Sequence, residues 1–248
     1  MDRAQFTTAT ESQQKTELNR NAMKVVIING SPRCKGFTSA ILHSIESELT
    51  ANKIDVRFVD LSKKNILHCA GCCSCYKTGH CHISDDADGL SDEIASADGL
   101  VIGSPTYASN VSGILKDFID RGHFVIEQLL HKKYCVVVAS GENYGNGDTK
   151  KYLSNLVLFS GGHLCKSIRA KATFNKVKEA NDLDESTRKK VTTASAKLIK
   201  GMSCKKKYFF QAICHSVIFN FGIKPFVNKK GQLYQGVLNK WKSLEDYK

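Results

Sequence analysis

Between Lys24 and Met202 the chain repeats one unit five times: a short apolar run, then a stretch with apolar residues at helical spacing. KVVIING precedes FTSAILHSIESELT, KIDVRFVDL precedes DGLSDEIASA, and DGLVIGSP precedes SGILKDFIDRG. KKYCVVVASG then precedes DTKKYLSNLVLFSG, and HLCKSIRA precedes ESTRKKVTTASAKLIKGM. Short β-branched runs that stay apolar at consecutive positions suit strands buried on both faces. Joined by helices, they predict an α/β fold, a doubly wound five-stranded parallel sheet with helices on both faces. In such sheets ligands bind beyond the carboxyl ends of the strands. Three loops at that edge therefore matter most: GSPRCKGFTS after the first strand, GSPTYASNVSG after the third and ASGENYGNGDT after the fourth.

At 248 residues and 42% hydrophobic, the chain can bury one full core. Residues 1–22 are polar and read as a mobile tail, with Met23 a candidate start; residues 23–202 form the sheet domain, and 203–248 a helical extension. No stretch approaches the roughly 18 apolar residues that span a bilayer, so no membrane span is expected. The opening also lacks a secretory apolar core, which predicts a cytoplasmic location. The net charge of +12 is concentrated in lysine-rich tracts of the last third, at Arg188 to Lys190, Lys205 to Lys207 and Lys229 to Lys230. Without a zinc-finger, helix-turn-helix or RNA-binding signature, these read as a solvated basic face and no nucleic-acid partner is expected. In KKKYFFQAICHSVIFNFGIKPF, Gln211, His215 and Asn220 interrupt the apolar face. Packing on the domain or a dimer partner is the expectation there, with a membrane-surface helix as the other reading. The end, GQLYQGVLNKWKSLEDYK, reads as a short helical tail carrying Trp241.

GSPRCKGFTS joins a buried strand to a helix, where backbone N–H groups and the positive end of the helix dipole receive phosphates. Ser31, Thr38 and Ser39 add hydroxyls there, and Arg33 adds a fork of charged donors. The spacing is neither that of a nucleoside-triphosphate P-loop nor that of a dinucleotide fingerprint, which leaves a monophosphate ester. In the second loop Pro105 stiffens the turn, Tyr107 offers an aromatic face, and the backbone from Thr106 to Ser112 offers donors to a heteroaromatic ring. Ser140, Gly141, Glu142, Asn143 and Tyr144 make a polar rim in the third. Phosphate, ring and edge together match flavin mononucleotide (FMN).

Residues 24 to about 172 resemble the flavodoxin-like NAD(P)H-dependent FMN reductases through GSPR and GFTS, SPTYASNVSGILKDFIDR and the cysteine-rich loop, in order and spacing. The resemblance implies a 2-1-3-4-5 strand order, non-covalent FMN, NAD(P)H as co-substrate and a homo-oligomer, a dimer or tetramer whose neighbouring subunit completes the pocket. By position it assigns the phosphate to Ser31, Arg33, Gly36, Thr38 and Ser39. It assigns the isoalloxazine to Pro105, Thr106, Tyr107, Ser109, Asn110 and Val111, with Ser140 and Gly141.

Five of the ten cysteines fall in LHCAGCCSCYKTGHCHISDD. A reducing compartment disfavours a disulfide framework and leaves a metal site, a redox couple or packing. Cys69-x2-Cys72-x2-Cys75-x5-Cys81, with Cys73 extra, follows the logic of a compact [4Fe–4S] motif, although the last interval is longer and no proline follows. Within the family, the spacing resembles the iron–sulfur flavoproteins. Zinc and a cluster-free loop stay open beside it. His68, His80 and His82 flank the loop and are expected to be exposed rather than ligands, while Cys34 sits in the phosphate loop at a helix N-terminus. The reading is an FMN-dependent oxidoreductase moving electrons from NAD(P)H to a quinone, flavin, metal or protein acceptor, directly or through a [4Fe–4S] cluster. The other reading is a non-enzymatic electron carrier or redox sensor. The cofactor carries the chemistry, so no general acid or base is assigned.

Overall fold

Side-chain parity along β1 (Lys24–Asn29) explains the architecture: Val26 and Ile28 point to one face of the sheet, Val25 and Ile27 to the other, and all four are fully buried. The computed structural model describes residues 23–171 and 179–244. The proposed tail at 1–22 lies outside the described residues. The strands β1, β2 (Asp55–Asp60), β3 (Gly99–Pro105), β4 (Tyr134–Gly141) and β5 (His163–Lys171) form one parallel sheet in the order β2-β1-β3-β4-β5. This is the expected 2-1-3-4-5 arrangement.

Helices α1 (Phe37–Ala51) and α6 (Glu185–Ser203) cover the face of Val25, Ile27, Val101, Val136 and Ile168. The opposite face, with Ile28, Ile102 and Val137, is covered by α3 (Asp86–Ala95), α4 (Gly113–Arg121) and α5 (Asn146–Phe159). Local chemistry sets several starts: Asp85 caps α3 by accepting from Ala87 N–H, Ser112 caps α4 from Leu115 N–H, and Asp184 caps α6 from Thr187 N–H. Between β2 and α3 the chain makes a 3-10 turn (Leu61–Lys63), an extended cysteine-bearing stretch and a short helix, α2 (Ser74–Thr78).

Beyond α6 the chain is helical again in α7 (Phe209–Ile218), a π-turn (Phe219–Ile223), α8 (Lys224–Lys230), a 3-10 turn (Gly231–Tyr234) and α9 (Gln235–Ser243). Pro225 lies inside this run; it lacks an N–H and crowds the preceding turn, and the π-turn just before it makes the local adjustment. The extension has its own apolar cluster of Phe219, Val227, Tyr234, Val237 and Trp241. Tyr76 of α2 joins it, stacking on Tyr234 at 4.7 Å between ring centroids, and Trp241 Nε1 donates to Ile126 O at 2.9 Å. At the tightest point a Cβ on Gly236 would collide with the backbone nitrogen of Gly79, so only glycine permits this approach of α9 to α2.

The orientation of α7 differs from the sequence expectation. Gln211 and His215 do not interrupt its apolar face; they occupy the opposite one. Gln211 bridges both backbone groups of Leu164 at 2.8 and 3.0 Å, and His215 Nε2 pairs with Gln128 Oε1 at 2.7 Å. The sheet edge offers backbone donors and acceptors there, so the polar side of the helix turns inward and the apolar side outward.

Candidate functional site

The carboxyl ends of β1, β3 and β4 bring the three expected loops into one hydrogen-bonded rim. Asn29 donates to Asp60 Oδ1 at 2.7 Å and accepts from Ser31 N–H, and Ser31 Oγ accepts from Arg33 N–H at 3.1 Å. The first loop is thereby wound so that Gly36, extended at φ −171°, opens α1 without a side-chain cap. Thr38 and Ser39 lie inside the first turn rather than capping it. Ser39 Oγ donates to Cys34 O at 2.6 Å, and Thr38 Oγ1 shares a buried 2.6 Å hydrogen bond with Ser140 Oγ. The first N–H groups of a 15-residue helix therefore face the loop beside an exposed Arg33, which is the arrangement an anion needs.

The second loop is a tight hairpin: Tyr107 N–H donates to Asn110 O at 2.9 Å and Asn110 N–H to Tyr107 O at 3.0 Å. Ala108 and Ser109 at its tip have φ of 48° and 63°, the left-handed region that residues with a Cβ occupy at a cost of about 1–3 kcal/mol each. Gly145 reaches φ 81° at the start of α5, and a Cβ there would stand 2.5 Å from Ser109 Oγ. Thr149 Oγ1 donates to Asn110 O at 3.1 Å, and Thr106 N–H donates to Ser140 O at 2.7 Å. The loops after β3 and β4 thus hold each other. Thr106 Oγ1 is buried without a hydrogen-bond partner among the described residues, next to Gly141, whose added Cβ would come 3.3 Å from Thr106 Cβ. Tyr107 and Tyr144 stand 46% and 75% exposed at the rim.

The cysteine loop leaves β2 close to this rim, with Cys34 Sγ 3.2 Å from Ser62 Oγ. Its course is fixed from below by charge. Asp85 and Arg121 form an ion pair with side chains 0% and 1% exposed; Asp85 accepts from Leu67 N–H, and Arg121 donates to Leu67 O and Ile83 O at 3.1 Å. Burial works to raise the Asp85 pKa, but the Arg121 guanidinium and the backbone donors outweigh it and hold the carboxyl below its ordinary range. Asp88 receives Cys81 N–H at 2.9 Å and pairs with His123 Nε2 at 3.0 Å, while His123 Nδ1 pairs with Glu127 at 2.9 Å.

Cys75 lies against this network. Its pKa is pushed up to about 12, first by burial, then by the Glu127 carboxylate and by Cys81, with Cys69 adding to the rise. Cys81 and Cys69 thus act on Cys75 electrostatically, but among the described residues no three of these sulfurs come within 4.8 Å of one another. Cys72 turns toward His82, Sγ to Nδ1 3.2 Å, and Cys73 sits at φ 58° as the residue before α2. His68, His80 and His82 are exposed, and all ten cysteines are free. Cys75 Sγ, His123 and Glu127 offer ligand atoms within 4.8 Å of one another, but both ring nitrogens of His123 already face carboxylates. An ion-pair network accounts for that trio.

Helix α4 connects the two regions. Its cap Ser112 donates to Gly30 O and receives Leu115 N–H at the rim, and Arg121, nine residues on, holds the cysteine loop. At 1.5 Å per residue the span is about 13 Å. Asp85, Asp88, Arg121, His123 and Glu127 carry little sequence signal for this role: IDRGHFVIEQ offers only a Gly after a charged helix end and a His–Glu pair four apart.

Residues 23–173 match the family model described as NADPH-dependent FMN reductase. An iron–sulfur flavoprotein of Clostridioides difficile (strain 630) is 34% identical over 223 residues, covering 88% of this chain and 97% of that protein. An iron–sulfur flavoprotein of Methanocaldococcus jannaschii is 34% identical over 139 residues, 55% of this chain and 72% of that one. Among solved structures, the apo form of the NADH:FMN oxidoreductase EMOB superposes with a TM-score of 0.56 at 17% identity, over 73% of this chain and 90% of that one. That likeness speaks for the fold.

Proposed function

This chain belongs to the family of NADPH-dependent FMN reductases and iron–sulfur flavoproteins and is an FMN-dependent oxidoreductase, and from that premise we propose how its own residues divide the work. The uncapped N-terminus of α1, with Ser31, Arg33, Gly36, Thr38 and Ser39, receives the FMN phosphate. Pro105 through Val111, with Ser140 and Gly141, carry the isoalloxazine. The partnerless Thr106 hydroxyl suits a ring-edge donor or acceptor, and the glycine beside it leaves that edge open. The hairpin strain at Ala108 and Ser109 is held by Gly145 and Thr149, so the ring platform is fixed before any ligand arrives.

Cys69, Cys72, Cys75 and Cys81 are the proposed [4Fe–4S] ligands. The chemistry of the donor set supports this: Cys81 and Cys69 act electrostatically on Cys75, and a thiol raised by burial and nearby negative groups gains most from an adjacent metal cation. Cys72, whose Sγ lies 3.2 Å from His82 Nδ1, completes the proposed set. When bound, FMN supplies hydride acceptance from NAD(P)H and the cluster supplies one-electron transfer toward a quinone, flavin, metal or protein acceptor. The chain's part is to bind, orient and shield. Asp85, Arg121 and Asp88 fix the backbone of the cysteine loop, and α4 sets its spacing from the rim. A homo-oligomer whose neighbour completes the rim, and a cytoplasmic location suited to reduced thiols, belong to the same proposal.

The observation that carries this reading is the tying of the β1, β3 and β4 loops into one rim by Thr38, Thr106 and Ser140. Anaerobic purification followed by measurement of FMN, iron and acid-labile sulfide per chain tests it, together with steady-state NAD(P)H oxidation using quinone, ferric and free-flavin acceptors. About four irons and four sulfides per chain, lost in Cys72→Ser, are expected. Flavin without iron would remove the cluster from the proposal, and iron unchanged in the variant would remove the ligand set. Negligible turnover beside fast one-electron exchange would make the protein a carrier or sensor.

A further inference from the structure

From Ser186 through Leu244 the chain contains thirteen lysines and arginines and not one aspartate or glutamate. The same segment carries the outward face of α7. With its polar side bonded to Leu164 and Gln128, the helix has no buried residue, and Phe210, Ile213, Val217 and Phe221 are 82%, 46%, 52% and 83% exposed. At about 100° per residue these four positions form one stripe along the helix and into the π-turn. Exposed lysines stand at both ends, Lys205 to Lys207 before the stripe and Lys224, Lys229 and Lys230 after it.

We propose that this face docks the protein on an anionic lipid bilayer, the helical run lying flat, its apolar stripe entering the acyl boundary and the flanking lysines meeting headgroup phosphates. Charge complementarity selects this occupant. A second copy pressed against the same face would set lysines against lysines, with no acid between Ser186 and Leu244 of either copy to offset them. A nucleic acid would satisfy the lysines but offers no apolar layer for Ile213 and Val217. A bilayer with anionic headgroups supplies both, and amphipathic helices of this composition bind by apolar area together with electrostatic attraction. No helix among the described residues is long and apolar enough to cross a membrane, so the segment lies on the bilayer rather than spanning it.

Co-sedimentation of the full chain with vesicles of phosphatidylcholine alone, or of phosphatidylcholine mixed with phosphatidylglycerol, tests the proposal. Binding to the mixed vesicles should exceed binding to the neutral ones by at least about tenfold and weaken with added salt. Phe210→Ser/Phe221→Ser and Lys205→Gln/Lys206→Gln/Lys207→Gln should each lower it by about tenfold, with melting temperature and FMN content unchanged, because the substituted side chains are exposed. In Phe210→Trp, tryptophan emission should shift to the blue on adding anionic vesicles only. Equal binding to both vesicle types, or mixed-vesicle binding unaffected by the phenylalanine variant, overturns the proposal. So does a wild-type dimer that the phenylalanine variant converts to monomer, which assigns the face to a second copy. Binding to duplex DNA without binding to anionic vesicles assigns it to nucleic acid.

Discussion

Replacing Arg121 with methionine leaves Asp85 as a carboxylate with 0% side-chain exposure and no counter-charge. Removing one partner of a buried ion pair costs about 3–5 kcal/mol. Asp85 keeps the Leu67 and Ala87 N–H donors, which places the expected loss near the lower limit, about 3 kcal/mol. At about 2–4 °C per kcal/mol for a domain of this size, the melting temperature should fall by about 6–12 °C. The pH dependence gives a second handle. In the wild type the folded-state Asp85 pKa lies below its unfolded value near 3.9, so its contribution is present above that value and is lost as pH falls through the folded pKa. Without Arg121 the folded-state pKa rises, and the stability gap between wild type and variant should narrow on acidification. Urea unfolding at neutral pH and near pH 4 measures both quantities. Adding Asp85→Asn to the variant should restore part of the loss by removing the stranded charge. A loss under about 1 kcal/mol, the value of an exposed pair, or a gap indifferent to pH would refute the account of the cysteine loop as held by buried charge.

Three other outcomes follow from the geometry. Thr38→Val strands the buried Ser140 hydroxyl and should cost about 1–3 kcal/mol while loosening FMN retention on dialysis; unchanged retention would separate this bond from the rim. Gly236→Ala forces α9 off α2 and should cost about 1–3 kcal/mol, with faster hydrogen exchange at 69–81 but not in β3 or β4. In iron-free protein, burial and the nearby Glu127 carboxylate push the Cys75 pKa up to about 12, so at mildly alkaline pH its alkylation should trail that of the unfolded chain; rapid labelling would refute the burial of its sulfur.

The sheet was legible because β1, β3 and β4 are short and apolar at successive positions, β2 alternates as an edge strand does, and helical spacing follows each, which leaves few topologies. The rim loops were legible for the same reason: they follow β1, β3 and β4. The supports of the cysteine loop were not. Asp85 and Arg121 sit among acids and at a charged helix end, and one sequence does not reveal that such groups bury together. Ala108 and Ser109 adopt left-handed backbone without the Gly or Asn that usually marks it. The direction of α7 was hidden because amphipathic spacing tells which residues share a face, not which face turns inward. Backbone groups at Leu164 decided that in favour of Gln211.

The contact of Gly236 with Gly79 also has a consequence in time. The two glycines are 157 positions apart, so α2 leaves the ribosome long before α9, the helix it packs against. At about 5–20 residues per second, synthesis of the intervening chain takes roughly 8–30 s. During that interval the sheet strands accumulate while Tyr76 and the half-buried Cys75 of α2 lack the extension that packs beside them. That packing waits for the last helix made, so an early stop in translation before Phe219 yields a chain with every strand and every cysteine but nothing for Tyr76 and Gly79 to pack against.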